Sequence, residues 1–258
     1  MRRLENKTAL VTGASRGIGR AIARRLAADG ALVAVNYSSN EGAAKETVAL
    51  VEEAGGRAFT VQAQLGTPGA VEKLLTDTEA GLRAATGSGS LDILVNNAAD
   101  VGFANFAGED PEHVTDEILD GCYAVNAKAP FFLIRDGLRL LADNGRVVNI
   151  SSAITRTTYP QQIAYAMSKA ALEQVTRHMA PILAARGITV NTVAPAVVDN
   201  GDPVFQYPEA VQQMAAGSMF NRVGQPADIA DIVAFVVSDD ARWITGSFID
   251  ATGGTIRS

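Results

Sequence analysis

The sequence has very few of the residues that build covalent cross-links and metal centres. Its 258 residues include one cysteine and two histidines, so an intrachain disulfide is impossible. Neither His113 nor His178 has a cysteine or histidine at ligand spacing, and we therefore expect no metal site. We expect Cys122 to be a small buried side chain.

Long apolar runs and an excess of basic charge are also missing. No stretch reaches the roughly 18 consecutive apolar residues that a membrane span needs, and no apolar targeting segment follows the arginines near the N-terminus. The 22 basic and 28 acidic residues are interspersed and give a net charge of −6, which argues against nucleic acid or an anionic membrane as the main partner. We expect a cytoplasmic protein that acts on small molecules.

The sequence does have a high apolar content and a regular alternation of strand and helix patterns. With 47% hydrophobic and 19% charged residues, the chain fits a single domain over residues 1–258. The alternation predicts an α/β fold with a parallel sheet and helices on both faces. Strands are predicted at 7–12, 31–36, 57–62, 91–95, 146–150, 188–193 and 248–249.

Three further segments carry structural predictions. A helical region is expected from Pro111 toward Leu141. Another helix should begin near Gln162 and end or kink at Pro181, which has no backbone donor. Residues 196–222 show weak periodicity and several glycines and prolines, which is typical of a long loop that covers a substrate, so we predict a lid there.

A glycine-rich segment, T-G-A-S-R-G-I-G at residues 12–19, follows the first predicted strand and leads into a helix. Gly13, Gly17 and Gly19 lack side chains, so the backbone and the helix N-terminus could closely approach a pyrophosphate. A glycine triplet alone is a weak signal, but its position between a strand and a helix favours dinucleotide binding.

A second segment, residues 152–169, brings together a hydroxyl, a phenol and an ammonium. Tyr165 and Lys169 would lie on one helix face because they are four residues apart. Free tyrosine titrates near 10, and we expect the neighbouring ammonium to lower the pKa of the Tyr165 phenol toward neutrality. Ser152, after the fifth strand, could donate a hydrogen bond to a substrate oxygen. Since Y-x-x-x-K also arises by chance on helices, the pair alone does not establish chemistry.

Together these motifs resemble the classical short-chain dehydrogenase/reductase family. The matching segments are T-G-A-S-R-G-I-G at 12–19, N-N-A-A at 96–99, Asn126, Ser152, Y-A-M-S-K at 165–169 and N-T-V-A-P at 191–195. The resemblance implies a Rossmann-type doubly wound sheet of seven parallel strands in one domain. It also implies hydride transfer between a nicotinamide and a carbonyl or alcohol carbon.

The resemblance implies a role for each of four residues. Tyr165 would be the general acid in reduction and the general base in oxidation. Lys169 would hold the nicotinamide ribose and favour the phenolate, and Ser152 would orient the substrate oxygen. Asn126 would fix a break in its helix and bind a water that links Lys169 to solvent. The family commonly forms tetramers, so a homotetramer or homodimer is expected.

The end of the second strand favours NADP(H) over NAD(H). The NAD pattern calls for a carboxylate there, but this chain has Asn36-Tyr37-Ser38-Ser39. A 2′-phosphate would instead meet the two serine hydroxyls and the Arg16 guanidinium. The complete expected cofactor set is Gly13, Ser15, Arg16, Gly17, Ile18, Gly19, Asn36, Tyr37, Ser38, Ser39, Gln64, Leu65, Asn97, Ala98, Ala99, Tyr165, Lys169, Pro195, Ala196, Val198 and Asn200.

Four positions depart from the family pattern. Gln64 stands in place of an aspartate that contacts adenine, Ala99 and Ala196 replace glycines, and Asn200 replaces a threonine that meets the nicotinamide carboxamide. Each alanine adds a methyl group where the backbone runs near the cofactor. These departures suggest a reshaped nicotinamide or substrate pocket.

Three functions are compatible with these observations. The first is an NADPH-dependent ketone reductase, since V-N-Y-S-S-N and N-I-S-S-A-I-T resemble members acting on 3-oxoacyl, polyketide or polycyclic aromatic ketones; Val101, Phe103, Ile154 and Tyr159 could line its pocket. The second is an alcohol or sugar dehydrogenase working in the oxidative direction. The third is a dinucleotide-binding regulator without turnover, which would have no need for all four predicted catalytic residues.

Overall fold

A seven-stranded parallel sheet forms the centre of the protein in a computed structural model that describes residues 3–102 and 110–256. The strand order is β3-β2-β1-β4-β5-β6-β7. This confirms the predicted α/β fold and its Rossmann-type topology. The strands are β1 Thr8–Val11, β2 Leu32–Tyr37, β3 Arg57–Gln62, β4 Leu91–Asn96, β5 Leu141–Ile150, β6 Thr189–Pro195 and β7 Phe248–Ala251.

Helices cover both faces of the sheet, so the strands are apolar on both sides. In β1, Ala9 and Val11 belong to one core, which is shared with α1, α2 and α8, while Leu10 belongs to the opposite core, beneath α3, α5 and α6. The helices are α1 Gly17–Ala28, α2 Glu41–Glu53, α3 Ala70–Thr86, α4 Asp116–Tyr123, α5 Ala129–Gly137, α6 Ile163–Leu183, α7 Pro208–Ala215 and α8 Pro226–Val236. None of the helices within the described ranges is long and apolar enough to span a bilayer.

The site-forming edge of the sheet follows from the strand order. From β1 the chain builds outward to β2 and β3, then returns to place β4 on the other side of β1. The connections that leave the carboxyl ends of β1 and β4 therefore diverge, and they open a crevice where open α/β sheets bind ligands.

Two predicted helices differ from the observed ones. The region from Pro111 is interrupted by a π-helical turn at Ala124–Lys128 and ends at Gly137, and β5 starts at Leu141, earlier than predicted. The helix containing Pro181 does not end there but continues to Leu183. Pro181 is exposed and close to the helix end, so water can satisfy the one carbonyl that loses its partner.

The predicted lid segment is more regular than its sequence suggested. It contains a short 3-10 helix at Pro203–Gln206 and the helix α7. Its two ends are joined, because the Asp199 backbone N–H donates to Gly224 and the Gly224 N–H donates to Val197, at 2.9 and 3.0 Å. The segment thus leaves the sheet after β6 and returns to nearly the same place before α8.

Candidate active site

The glycine turn between β1 and α1 is too tightly packed for side chains at two of its glycines. A Cβ atom on Gly19 would lie 2.3 Å from the Gly13 carbonyl oxygen and 2.5 Å from Asn97 Nδ2, and one on Gly13 would lie 2.9 Å from the Ala98 Cα atom. Gly13 and Gly17 also have φ angles of 61° and 54°, a region that favours glycine. The first turn of α1 therefore exposes bare backbone to the crevice.

Hydrogen bonds tie this turn to the N-N-A-A segment after β4. The Thr12 hydroxyl accepts from the backbone N–H groups of Asn97 and Ala98 at 2.9 and 3.0 Å. In return, Asn97 Nδ2 donates to the carbonyls of Thr12 and Gly13 at 2.9 and 3.2 Å. The two segments that border the crevice are thus fixed to one another.

Asn36, at the end of β2, has a structural role that its position in the motif did not reveal. Its side chain is 2% exposed; Oδ1 accepts from the Gly13 N–H at 3.1 Å, and Nδ2 donates to the carbonyls of Val61 and Ala63, each at 3.2 Å. The amide fixes the glycine turn against β2 and β3, and the following residues, Ser38 and Ser39, are left exposed.

Arg16 and Arg20 differ sharply although they lie one helical turn apart. The Arg20 guanidinium donates to Ser15 O at 2.7 Å and pairs with Glu46 at 2.8 Å. Arg16 is exposed, and within the described residues no hydrogen bond or ion pair holds its guanidinium. Arg16 is therefore a free cation at the edge of the crevice, on the same side as Ser38.

The predicted Ser152, Tyr165 and Lys169 meet at the carboxyl ends of β4, β5 and β6. Lys169 is 1% exposed, and its Nζ donates to the Ile150 carbonyl at 2.7 Å. The ammonium lies 5.6 Å from the centroid of the Tyr165 ring. The Ser152 side chain is hydrogen-bonded to Tyr165 and also accepts from the Ile154 N–H at 3.2 Å.

The prediction that the pKa of Tyr165 is lowered is wrong for the polypeptide by itself. Burial raises the pKa of Tyr165 to about 12, the hydrogen bond with Ser152 lowers it, and the nearby Cys122 thiol raises it further. Burial also lowers the pKa of Lys169 to about 7, while Cys122 raises it. The cost of desolvating each charged form therefore outweighs the attraction between ammonium and phenolate on which the prediction relied.

Asn126 lies behind these groups, in the π-helical turn, and is fully buried. Its side-chain amide is fully engaged: Nδ2 donates to Asp100 O at 2.6 Å and Ser168 Oγ at 2.9 Å, and Oδ1 accepts from the Asp100 N–H at 2.8 Å. Ser168 in turn donates to the Tyr165 carbonyl at 2.7 Å. Asn126 thus joins the loop after β4 to the helix that carries Tyr165.

A single cleft of about 580 Å³ extends from the glycine turn to Tyr165 and Lys169. With this geometry established, comparison with known proteins identifies the family. A family model described as enoyl-(acyl carrier protein) reductase matches residues 13–255. The chain belongs to the short-chain dehydrogenase/reductase family.

Known reductases resemble this chain over nearly its whole length. The solved structure of LugOII, described as a promiscuous reductase that catalyses keto-reduction at C1 during lugdunomycin biosynthesis, is 58% identical, has a TM-score of 0.96, and the match covers 99% of this chain and 100% of that one. The landomycin C-6 ketoreductase LanV, solved with NADP and rabelomycin, is 52% identical, with a TM-score of 0.91 and 98% of each chain covered. Versicolorin reductase of Emericella nidulans is 37% identical over 99% of this chain and 97% of its own.

The cleft of this short-chain dehydrogenase/reductase contains most of the predicted site residues. Of the predicted set, Tyr37, Ser39, Asn126 and Val198 lie outside the lining; Tyr37, Asn126 and Val198 are buried, whereas Ser39 is exposed. The predicted residues that line it are Gly13, Ser15, Arg16, Gly17, Ile18, Gly19, Asn36, Ser38, Gln64, Leu65, Asn97, Ala98, Ala99, Ser152, Tyr165, Lys169, Pro195, Ala196 and Asn200.

Five lining residues were missed by the sequence reasoning: Ala63, Asp100, Val125, Ile150 and Ser151. Ala63, Ile150 and Ser151 lie at or just beyond the ends of β3 and β5, whereas Asp100 follows the N-N-A-A segment and Val125 precedes Asn126 in the π-helical turn. Including the immediate neighbours of each motif would have found them. Val101 also lines the cleft, as expected for a pocket wall, whereas Phe103, proposed for the same wall, lies outside the described residues.

Proposed function

We propose that this protein is an NADPH-dependent reductase that converts a ketone of a polycyclic aromatic polyketide into a secondary alcohol. The observation that carries the proposal is the single cleft that joins the glycine turn to Ser152, Tyr165 and Lys169. The keto-reduction ascribed to LugOII and the NADP and rabelomycin bound to LanV support the cofactor and the substrate class.

The residues at the first end of the cleft fit a phosphorylated dinucleotide. The backbone at Gly17 and Gly19 lets a pyrophosphate approach the N-terminus of α1. Beyond it, the Arg16 guanidinium, which has no partner among the described residues, and the exposed Ser38 hydroxyl suit a 2′-phosphate. Strand β2 ends at Tyr37 and is followed by Ser38-Ser39, not by a carboxylate that would favour a free 2′-hydroxyl. NADPH, when bound, supplies the hydride.

At the other end of the cleft, the side chains handle the proton. Tyr165 donates its phenolic proton to the ketone oxygen as negative charge develops there, and Ser152 donates a hydrogen bond to the same oxygen. Lys169 would hold the nicotinamide ribose when the cofactor is bound, and its ammonium lies beside the Tyr165 ring. Asn126 maintains the π-helical turn and, through Ser168, the position of the Tyr165 helix.

Three further parts of the proposal concern the surroundings of the site. Residues 196–222 act as the substrate lid of the single domain, since Ala196 and Asn200 at its start line the cleft. The protein assembles as a homotetramer or homodimer, as is common in its family, and it acts in the cytoplasm.

The proposal is tested by NADPH consumption with a panel of polycyclic aromatic ketones that includes rabelomycin. Tyr165→Phe should bind NADPH as the wild type does but turn over about 10²- to 10⁴-fold more slowly, because it keeps the ring and loses the acid. Tyr123→Phe, which removes another phenol from a neighbouring helix, should leave turnover unchanged. Wild-type turnover in Tyr165→Phe, or NADPH binding without turnover across the panel, would contradict the proposal.

A further inference from the structure

A buried carboxylate lies one helical turn beyond Lys169. Glu173, on α6, is 7% exposed, an unusual environment for a glutamate unless it is paired. It faces the segment that follows β5, on the same side of the helix as Tyr165 and Lys169, because the three residues are spaced four apart.

The two oxygens of Glu173 bind the residues that bracket Ser152. Oε1 accepts from the buried Ser151 hydroxyl at 2.8 Å. Oε2 pairs with Arg156 Nη2 at 2.9 Å. A single carboxylate on the helix therefore holds both ends of the short segment from Ser151 to Arg156, which contains Ser152 and the 3-10 turn Ala153–Thr155.

Two other bonds tie this stretch to α6: Lys169 Nζ donates to Ile150 O at 2.7 Å, just before the segment, and the Ser152 side chain is hydrogen-bonded to Tyr165. The other attachments of the segment do not reach the helix. Ser151 N–H donates to Val193 O at 2.9 Å, which anchors the segment to β6, not to the helix. The Arg156 guanidinium stacks 4.2 Å from the Phe248 ring centroid on β7. The remaining bonds, such as Arg156 N–H to Ala153 O at 2.8 Å, lie within the turn itself.

We propose that Glu173 is a positioning residue that holds the Ser152 hydroxyl against the Tyr165 phenol by fixing the 151–156 segment to α6. Glu173 touches neither substrate nor cofactor and acts only through Ser151 and Arg156. The inference rests on the proposed reductase function, since it concerns the placement of that reaction's hydrogen-bond donor. Small displacements of such a donor reduce turnover strongly, by up to about 100-fold for 1 Å.

Two substitutions at Glu173 separate positioning from general stability. Glu173→Ala removes both bonds and should lower kcat by about 10- to 100-fold, with the Kd for NADPH within about twofold of wild type, because the glycine turn lies elsewhere in the cleft. Glu173→Gln keeps the shape: its carbonyl oxygen can accept from Arg156 and its amide can donate to the Ser151 hydroxyl. This variant should retain kcat within about threefold.

Glu79 on α3 provides a matched control. It is also a carboxylate bound by two side chains, Arg83 at 2.7 Å and Arg139, and it lies outside the cleft lining. Glu79→Ala should leave kcat unchanged. If Glu173→Ala does not fold, Ser151→Ala takes its place. Although Ser151 lines the cleft, its hydroxyl donates to Glu173, so the substitution should lower kcat severalfold and change the Kd for NADPH by less.

The results distinguish this inference from the proposed function. If Tyr165→Phe abolishes turnover while Glu173→Ala, or Ser151→Ala in its place, keeps wild-type kcat, the positioning role is wrong and the reductase assignment stands. If Glu173→Ala weakens NADPH binding as much as it lowers kcat, or if Glu173→Gln is as impaired as Glu173→Ala, Glu173 acts through overall stability or charge and the inference is also overturned.

Discussion

The preference for a phosphorylated cofactor depends on Arg16 and can be tested at that one side chain. Arg16 precedes Gly17 in the turn, lines the cleft and has no hydrogen-bond or ion-pair partner within the described residues. A 2′-phosphate would therefore gain a charge-assisted contact without breaking an existing one. Arg16→Ala removes that contact and should leave the turn intact, because the tight packing of the turn involves its glycines.

The expected size follows from the strength of such contacts. A hydrogen bond to a charged group contributes about 1.5–3 kcal/mol, which corresponds to a factor of roughly 10 to 150 in Kd. We therefore expect Arg16→Ala to raise the Kd for NADPH by that factor and to change the Kd for NADH by less than about twofold. Fluorescence or calorimetric titration of each dinucleotide, at two salt concentrations, measures both values.

Arg24 is the matched control for this experiment. It lies on the same helix, is exposed, and like Arg16 has no side-chain partner among the described residues. Arg24→Ala makes the same change in net charge away from the cleft, and NADPH affinity should stay close to wild type. The assigned contact would be refuted if both variants lost the same NADPH affinity, or if Arg16→Ala lost as much affinity for NADH as for NADPH.

Two further predictions concern the turn and the buried lysine. Gly19→Ala should abolish NADPH binding and lower Tm, since its Cβ would lie 2.3 Å from the Gly13 carbonyl oxygen. Its control, Gly42→Ala in the open first turn of α2, should be neutral or stabilise the protein by up to about 1 kcal/mol. Similar Tm values for the two variants would contradict the predicted clash at Gly19. Because burial lowers the pKa of Lys169 to about 7, the unfolded state binds more protons than the native state from there up to the ordinary lysine value near 10.4. In that window the free energy of unfolding should rise with pH by up to about 1.4 kcal/mol per unit relative to Lys169→Met; urea titrations at about pH 7 and 9 measure it, and a constant difference between the two proteins would disprove the shift.

The fold could be predicted well because it depends on patterns that are local in the sequence. Strands buried on both faces appear as short apolar runs, and their alternation with amphipathic helices leaves few topologies. Errors arose where tertiary context overrides a local signal. Pro181 lies inside α6 because the helix is exposed there, and the start of β5 at Leu141 is set by pairing with Leu91 in β4, which no local pattern reveals.

The motif positions predicted most of the residues that line the cleft, but not the energetics of those residues. Motif positions identified Tyr165 and Lys169, yet the direction of the Tyr165 pKa shift depends on how much water the fold removes from the phenol, and burial is not encoded in a four-residue spacing. Glu173 escaped notice for a similar reason. Only the folded chain shows that the Glu173 carboxylate is buried and bonded to Ser151 and Arg156.

Burial of Tyr165 determines which form of the phenol is present at neutral pH. With a pKa raised to about 12, the Tyr165 phenol holds its proton at neutral pH, and forming the phenolate at pH 7 costs on the order of 7 kcal/mol. A general acid for ketone reduction must begin with that proton, whereas a general base for alcohol oxidation must first lose it. Burial of Tyr165, opposed only in part by the hydrogen bond with Ser152, thus keeps the phenol protonated at neutral pH, and the same shift makes it a weaker acid. The hydrogen bond between Ser152 and Tyr165 lowers the Tyr165 pKa. Since Glu173 holds the segment that carries Ser152, this carboxylate, two helical turns from Tyr165, also controls that hydrogen bond.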